Sequence, residues 1–216
     1  SQTDSICINL HPPLLVNVTG TDSICPGDPV TFTATASGGI GAPYTYNWDN
    51  GATGATLNDS PSATTTYCVT VTDGCETTPA TACDSVIANP DPVVSFVADT
   101  TSGCYPITVN FTNTTNPALV GSVFWDFGNG TTDNTCNPAI VTYGTPGAFD
   151  VTLTITSFEG CVGDTTITSY INVYDYPIAN FSFGPQPADV LDPEIMFTNG
   201  SSADATMFNW GFGAGE

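Results

Sequence analysis

The side chains best suited to chemistry in this chain are carboxylates and amides in predicted turns. Asp126, Asn129 and Asp133 lie in one short segment, the acidic turn group, while Asp91 and Asp175 lie in short Pro-flanked stretches between predicted domains. Calcium takes carboxylate and carbonyl oxygens as ligands, and the chain has no lysine or arginine to compete for them. These five residues are candidate calcium ligands. None has the spacing of a known calcium loop, so the alternative is that they are solvated turn residues.

Catalytic chemistry has little support in the sequence. Nucleophilic catalysis requires a base beside the nucleophile, and the only histidine, His11, precedes two prolines in a predicted linker. Paired carboxylates of the glycosidase type are conceivable, but no pair stands out from the turn aspartates. The sequence therefore predicts a protein that is not an enzyme and requires no cofactor, with calcium as its candidate ion.

The charge of the chain is one-sided, with 21 Asp and Glu, no Lys or Arg and a formal net charge of −21. Nucleic acids are bound by cationic side chains against phosphate, and anionic membranes attract polybasic segments. Both kinds of partner are excluded on this basis. No apolar run approaches the roughly 20 residues of a membrane-spanning helix. We therefore expect an extracellular or cell-surface protein that is not inserted directly in a membrane.

The elements that position these side chains are predicted to be short β-strands. Thr, Val, Gly, Pro, Asn and Asp dominate the chain, a composition typical of strands joined by tight turns. Residues 104–113 alternate apolar and polar side chains, as a half-buried strand does. Turn signals recur every 8–12 residues or so, which favours β-sandwiches. The predicted fold class is all-β, with β-sandwich domains arranged end to end.

Internal repeats support this organisation. An aromatic turn at residues 124–130 recurs at 208–215, and a proline-led strand at 92–96 recurs at 177–181. The period is roughly 85 residues. Since residues 1–11 resemble the last strand of the following unit, and the second aromatic turn falls about halfway through a repeat, we expect the chain to be a window on a longer array.

The repeats predict four segments. Residues 1–13 are the last strand of a preceding domain with a linker, and residues 14–89 are a first β-sandwich. Residues 90–174 are a second β-sandwich, and residues 175–216 are the first half of a further one.

Residues 92–174 resemble a PKD (polycystic kidney disease) domain. The family signature is an aromatic-Asp-Phe-Gly-Asp-Gly turn followed by a Tyr-x-x-x-Gly-x-Tyr/Phe-x-Val strand, and the chain has Trp-Asp-Phe-Gly-Asn-Gly at 125–130 and a matching strand from Tyr143 to Leu153. Residues 176–216 match only the first half of the pattern, and Gly211 and Ala214 stand where acidic residues are usual.

The surrounding segments extend this resemblance. Residues 14–89 look like the Ig-like modules found between PKD repeats. The Gly-Cys pairs at 103–104 and 160–161, set among Thr-rich strands, look most like giant surface proteins of Bacteroidota, including gliding-motility adhesins. The resemblance implies an exported stalk, adhesin or filament.

The eight cysteines predict an oxidising compartment. Cys68 and Cys83 flank a predicted turn in opposing register, which predicts a cross-hairpin disulfide. Cys25 would then pair with Cys75 in the same unit, and Cys104 with Cys161 in the next, each pair joining the first core strand to a late turn. The partner of Cys7 is expected upstream of residue 1, and Cys136 has no predicted partner.

Two surface hypotheses remain from the sequence. Asp-Ser-Ile/Val triplets at Ser5, Ser23 and Ser85 resemble the O-glycosylation motif of Bacteroidota, and the alternative is a repeated strand lead-in. Asn-x-Ser/Thr triplets also recur, as chance predicts in Thr-rich sequence.

The preferred function is a non-catalytic structural or adhesive segment of a long extracellular protein, contacting neighbouring repeats and a surface glycan or protein. One alternative is a carbohydrate- or ligand-binding accessory module of a secreted enzyme, which an exposed row of Tyr44, Tyr46 and Trp48 would favour. The other is a self-assembling filament subunit, completed by strand donation from other copies.

Overall fold

The computed structural model describes residues 11–74, 78–138, 140–184 and 194–213, and these residues form an all-β protein. Within these ranges the one helical segment is a three-residue 3-10 turn at Pro117–Leu119. The all-β prediction is therefore confirmed. Among the same residues, no helix is long and apolar enough to cross a membrane.

The first sandwich consists of seven strands around one core. One sheet has the order β1-β3-β5 and the other the order β2-β7-β6-β4. All neighbours pair antiparallel except β2 and β7, which are parallel. The strands are β1 (Leu15–Thr19), β2 (Ser23–Ile24), β3 (Val30–Ser37), β4 (Thr45–Trp48), β5 (Thr56–Asp59), β6 (Thr65–Thr72) and β7 (Ala80–Ala88).

Alternation of side chains builds this first core. Val30, Phe32 and Ala34 of β3 are buried between exposed threonines, and Val69 and Val71 of β6 are buried against them. Successive side chains of a strand point to opposite faces, so one face excludes water while the other meets it. Full burial of each such large apolar side chain contributes about 1.5–3 kcal/mol.

The second sandwich is larger and includes a five-stranded sheet of order β13-β12-β15-β16-β9, with the pairs β8-β11 and β10-β14 beside it. β9, at one edge of this sheet, runs parallel to the end of β16, and the other neighbouring strands of the sheet pair antiparallel. The strands are β8 (Phe96–Ala98), β9 (Ser102–Cys104), β10 (Ile107–Val109), β11 (Phe111–Asn113), β12 (Ser122–Asp126), β13 (Thr132–Asp133), β14 (Val141–Tyr143), β15 (Gly147–Thr156) and β16 (Val162–Tyr174).

The second core is rich in aromatic side chains. Trp125 and Tyr143 are fully buried, and Phe96, Phe111 and Phe127 are exposed by 6% or less. Their rings pack edge-on, tilted or stacked at centroid distances of 5.1 to 5.8 Å for the pairs among Phe96, Phe111, Trp125 and Phe127, the range in which aromatic pairs attract.

Beyond the second core the chain forms one further strand pair. β17 (Phe181–Gly184) and β18 (Met196–Asn199) pair antiparallel. Most side chains of these two strands are exposed. The domain boundaries predicted at residues 13, 89 and 174 stay predictions, although the buried residues of the first core run from Leu14 to Val86 and those of the second from Val94 to Val173.

Candidate functional site

The most consequential site is a covalent joint between the two sandwiches. Cys25 and Cys161 form a disulfide across 136 residues of sequence. Cys25 follows β2, whose parallel pairing with Ile87 and Ala88 places it at the end of the first sandwich where the linker begins. The amide of Asn89 donates to the Ile24 carbonyl at 2.9 Å and holds that linker against β2.

The second sandwich presents Cys161 to the same place. Cys161 lies in the turn between β15 and β16, is 1% exposed, and has its Sγ 3.5 Å from the Asn89 carbonyl oxygen. Gly163 lets the Pro92 carbonyl approach the turn, since a Cβ there would lie 2.0 Å from that oxygen. The joint is therefore assembled from β2, the linker and the β15–β16 turn.

Two of the predicted disulfides are wrong. Cys25 pairs with Cys161, so neither the Cys25–Cys75 nor the Cys104–Cys161 pairing forms. The reason for the second error is the length of β16. Cys104 lies beside Tyr174 at one end of this 13-residue strand, and Cys161 precedes Val162 at the other, a strand length of roughly 40 Å.

The remaining cysteines are more simply placed. The predicted Cys68–Cys83 disulfide is present, and the two residues are direct partners in the β6–β7 register. Cys104 and Cys136 are free and exposed. Cys7 and Cys75 lie outside the described residues.

Asp91 lies at the joint, where its carboxylate is within 4.8 Å of the sulfurs of Cys25 and Cys161. Metal coordination by cysteine requires the thiolate. Because both sulfurs are joined in a disulfide, this group offers one carboxylate rather than a three-ligand site.

The acidic turn group supports its own turns through hydrogen bonds. Asp126 Oδ1 accepts from the Gly128 amide at 2.9 Å, and Asn129 Oδ1 accepts from the Thr131 amide at 3.0 Å. Asp133 Oδ1 accepts from the amide and the hydroxyl of Thr135. Hydrogen bonds to the Asp133 carboxylate lower its pKa; the bond from the Thr135 hydroxyl has the larger effect and the bond from the Thr135 amide the smaller one.

Asp175, the fifth calcium candidate, accepts from the following Tyr176 amide at 2.8 Å. Among the described His, Cys, Asp and Glu residues, only Cys25, Asp91 and Cys161 bring three potential ligand atoms within 4.8 Å of one another. Calcium binding at the five candidates stays a prediction.

The aromatic turn is tied to the strand signature that follows it. The hydroxyl of Tyr143 donates to the Phe127 carbonyl at 3.0 Å inside the protein, and Trp125 Nε1 donates to the Thr135 carbonyl at 3.2 Å. Burial, with a smaller effect of the Asp126 charge, raises the pKa of Tyr143. Gly128 has a φ of 70° and a Cβ there would lie 2.3 Å from the Asp150 carbonyl oxygen. The turn residues thus serve the core.

The aromatic residues Tyr44, Tyr46 and Trp48 pack on the core of the first sandwich. Trp48 is buried, and its Nε1 donates to the Gly54 carbonyl at 3.0 Å; Tyr44 and Tyr46 are partly buried against the same core. The exposed row that would favour a ligand-binding module is therefore not found at these three residues.

The serine candidates for glycosylation lie on strands. Ser23 in β2 and Ser85 in β7 are exposed, and the Ser85 hydroxyl shares a 2.8 Å hydrogen bond with Thr66. Ser5 lies outside the described residues. Modification of these serines stays a prediction.

Sequence reasoning missed the pairing at the joint. The spacing of cysteines along the chain does not indicate a disulfide between two separate sandwiches. The predicted pairs therefore each joined two cysteines of the same predicted domain. The usable signal was local: Cys25 follows a short Ser-Ile segment close to a turn, and Cys161 lies in the Glu-Gly-Cys turn of a long hairpin.

Comparisons with known proteins find a family match for the second sandwich. Residues 89–173 match the PKD domain family. No curated protein matches the chain. Among solved structures, the PKD1 domain of Vibrio anguillarum Epp is 30% identical, with 40% of this chain and 99% of that chain covered and a TM-score of 0.34.

Two further solved structures are similar. The PKD1 domain of the Vibrio cholerae metalloprotease PrtV is 28% identical over 38% of this chain and 98% of that chain, with a TM-score of 0.33. A 1.5-MDa bacterial ice-binding adhesin is 18% identical over 80% of this chain and 69% of that chain, with a TM-score of 0.39. The family match and the Trp-Asp-Phe-Gly-Asn-Gly turn coincide in the same segment. Residues 89–173 therefore form a PKD domain.

Proposed function

We propose that this chain is a structural, non-catalytic segment of an extracellular stalk or adhesin, in which end-to-end β-sandwiches carry tension. The observation that carries this proposal is the Cys25–Cys161 disulfide between the two sandwiches. Disulfides persist in oxidising, extracellular settings. The net charge of −21 opposes collapse of neighbouring modules onto each other within a Debye length of about 8 Å.

The position of the disulfide suits a chain that is pulled from its two ends. Tension entering before Cys25 passes through the sulfur bridge to Cys161 and bypasses the segment between them, which closes a loop with a sequence separation of 136. Strands β3 to β15 all lie inside this covalent loop. Only β1, β2 and β16 of the two sandwiches lie outside it, so most of both cores cannot be drawn out by force.

Single-molecule force spectroscopy tests this proposal. The oxidised chain, held at its two ends, should release none of the residues inside the loop. The double variant Cys25→Ala/Cys161→Ala should release an additional roughly 400–440 Å of contour length, at 3.3–3.6 Å per residue with the Cys68–Cys83 loop still closed.

The matched control is Cys68→Ala/Cys83→Ala, which removes a 15-residue loop that lies inside the larger one. Its contour length under force should equal that of the unaltered chain. If the unaltered chain already extends through both sandwiches, the tension-bearing role is wrong.

Calcium and glycan or protein targets belong to this proposal as further partners. The carboxylates of the acidic turn group and of Asp91 and Asp175 are the proposed ion ligands, and neighbouring repeats of the same chain are the proposed partners along the stalk. The ligand-binding alternative loses its best support because Tyr44, Tyr46 and Trp48 pack on the first core.

A further inference from the structure

Residues 177–184 and 194–213 repeat the strand pairing, hydrogen bonds and ring contacts of the early half of the PKD domain. In the β8–β11 pair Phe96 lies opposite Asn113, and in the β17–β18 pair Phe181 lies opposite Asn199. The registers are therefore equivalent, with Phe96 matching Phe181 and Phe111 matching Phe197.

The hydrogen bonds that close these two strand pairs are also equivalent. The Ser95 amide donates to Thr115 Oγ1 at 3.2 Å, and the Asn180 amide donates to Ser201 Oγ at 3.1 Å. In return, the Thr115 hydroxyl donates to the Ser95 carbonyl and the Ser201 hydroxyl donates to the Asn180 carbonyl, both at 3.3 Å. The same arrangement of paired strands and closing hydrogen bonds, which we call the framework, therefore occurs twice in the chain.

Four aromatic rings occupy this framework in both places. We call Phe181, Phe197, Trp210 and Phe212 the aromatic face. Trp210 and Phe212 stack at 6.1 Å with an interplanar angle of 6°, as Trp125 and Phe127 stack at 5.8 Å and 13°. The Phe197–Phe212 distance of 5.1 Å equals the Phe111–Phe127 distance.

The two sets of rings differ in exposure. In the PKD domain all four are exposed by 6% or less, whereas Phe181, Phe197, Trp210 and Phe212 are exposed by 54%, 39%, 38% and 70%. An assembled apolar cluster left open to water is unusual for a folded protein and marks an interaction surface.

The PKD domain shows what covers such a cluster. Strands β15 and β16 contribute alternating aliphatic residues, Val151, Leu153 and Ile155 with Ile171 and Val173, to the same core as its four rings. In register, Leu153 lies directly opposite Trp125. No strand of the described residues stands in that relation to Trp210.

We propose that the aromatic face is the docking site of a β-hairpin with alternating Val, Leu and Ile side chains, paired along residues 208–212 as β15 pairs along β12. The groove at this face has a volume of about 380 Å³, and none of its lining residues is charged. An apolar hairpin therefore meets no carboxylate there, although the chain carries 21 Asp and Glu. This proposal does not depend on the tension-bearing function.

Two other occupants fit an exposed aromatic surface less well. A sugar ring would stack on Trp210 or Phe212, but it would leave unpaired the strand edge that β15 occupies in the PKD domain. A second copy of the chain would have to bring two such faces together, and the rings would then meet rings rather than the aliphatic side chains that cover them in the PKD core.

The test supplies the hairpin to the full chain. A copy of residues 141–174 with Cys161→Ala is joined after Glu216 by a flexible Gly-Ser linker, which gives it a high effective concentration. The matched control carries the same extension with the copy's Val151, Leu153 and Ile155 replaced by Ser. The neutral quencher acrylamide then reports the exposure of Trp210, since Trp48 and Trp125 are only 3% and 0% exposed.

The extension with aliphatic residues should protect the exposed tryptophan at least about tenfold in quenching rate, and the Ser control should not. A truncating change in the face, Trp210→Ala, should weaken association with the separate 141–174 polypeptide at least about thirtyfold, as expected for an aromatic hot spot. Equal quenching with both extensions would overturn the proposal.

Register-specific crosslinking keeps the test decisive if quenching is ambiguous. Phe124 lies opposite Thr154 in the PKD domain, so Asn209→Cys should form a disulfide with Thr154→Cys of the copy. Ile155→Cys, one residue along, should not, because successive side chains point to opposite faces.

Peptide mapping by mass spectrometry identifies the crosslinked pair and separates it from the native cysteines. Crosslinking at both positions alike would contradict the proposed register. Protection of Trp210 that rises with chain concentration, or on addition of an oligosaccharide, while the extension has no effect would reassign the face to a second copy or to a glycan.

Discussion

Removing the joint disulfide should destabilise both sandwiches, not one. Cys25 is fixed to the first sandwich beside Asn89, and Cys161 is fixed to the second beside the same residue. When either sandwich unfolds alone, the folded partner holds the two ends of the unfolded segment together. The double variant Cys25→Ala/Cys161→Ala releases this constraint for each unfolding reaction.

The magnitude follows from the lengths of the closed loops. Unfolding of the second sandwich alone leaves a loop from Asn89 to Cys161, and unfolding of the first leaves one from Cys25 to Asn89, roughly 70 residues in each case. Loop-closure entropy for this length is about 4 kcal/mol in the chain-entropy model. Each sandwich should lose about that much free energy of unfolding.

Urea denaturation with 5-fluorotryptophan labels measures the two sandwiches separately. The ¹⁹F resonance of Trp48 reports the first core and that of Trp125 the second, since these residues are 3% and 0% exposed. Cys68→Ala/Cys83→Ala is the matched control. The 15-residue loop that it opens lies within the first sandwich. The control should therefore lower only the free energy of unfolding that Trp48 reports, by about 3 kcal/mol.

A Trp125 midpoint that is unchanged in the Cys25→Ala/Cys161→Ala variant would refute the reasoning. So would a Trp125 shift of equal size in the control, because the effect would then be a general loss of stability in the first sandwich rather than release of a bridge between the two.

Three further predictions concern the PKD domain. Tyr143→Phe should lower the free energy of unfolding by about 1 kcal/mol at neutral pH, through loss of the hydrogen bond to the Phe127 carbonyl. Burial raises the pKa of Tyr143 in the folded state, so the unfolded chain loses this proton first and stability falls as pH rises above about 10. The Phe variant should show a shallower fall in urea titrations between pH 9 and 11, and an identical slope would contradict the assignment. Gly128→Ala should cost at least about 2 kcal/mol in thermal or urea denaturation, because the left-handed φ and the contact with the Asp150 carbonyl both penalise a Cβ; Gly130→Ala, with open space around its Cβ, is the control and should cost about 1 kcal/mol. Millimolar calcium should raise the melting temperature if the acidic turn group binds the ion, and Asp126→Asn with Asp133→Asn should abolish the increase; no shift in the unaltered chain would reject this site.

Local sequence predicted much of the PKD core because its signals are short-range. The alternation around Phe111 and the Trp-Asp-Phe-Gly-Asn-Gly turn report directly which side chains face inward, since the period of a strand is two residues. The Cys68–Cys83 pair was predictable for the same reason, as a single hairpin sets its register.

Predictions that depended on distant segments were wrong or incomplete. Cys104 and Cys161 belong to the same unit, yet β16 holds them at opposite ends of a strand. The ligand-binding alternative depended on exposure of Tyr44, Tyr46 and Trp48, and only the packing of the first sandwich places these side chains on its core.

The absence of lysine and arginine predicts from the sequence alone that nucleic acids and anionic membranes are not partners, because net charge needs no tertiary contact to act. Strand alternation and turn residues likewise determined the all-β class and the repeated aromatic turn. Only the tertiary structure decided that Cys25 meets Cys161, because a disulfide requires two Cα atoms within about 7 Å, and this pair has a sequence separation of 136. It also decided that four rings covered in the PKD domain stand exposed at Phe181, Phe197, Trp210 and Phe212, since burial depends on which strands pack over a residue and not on the residue itself.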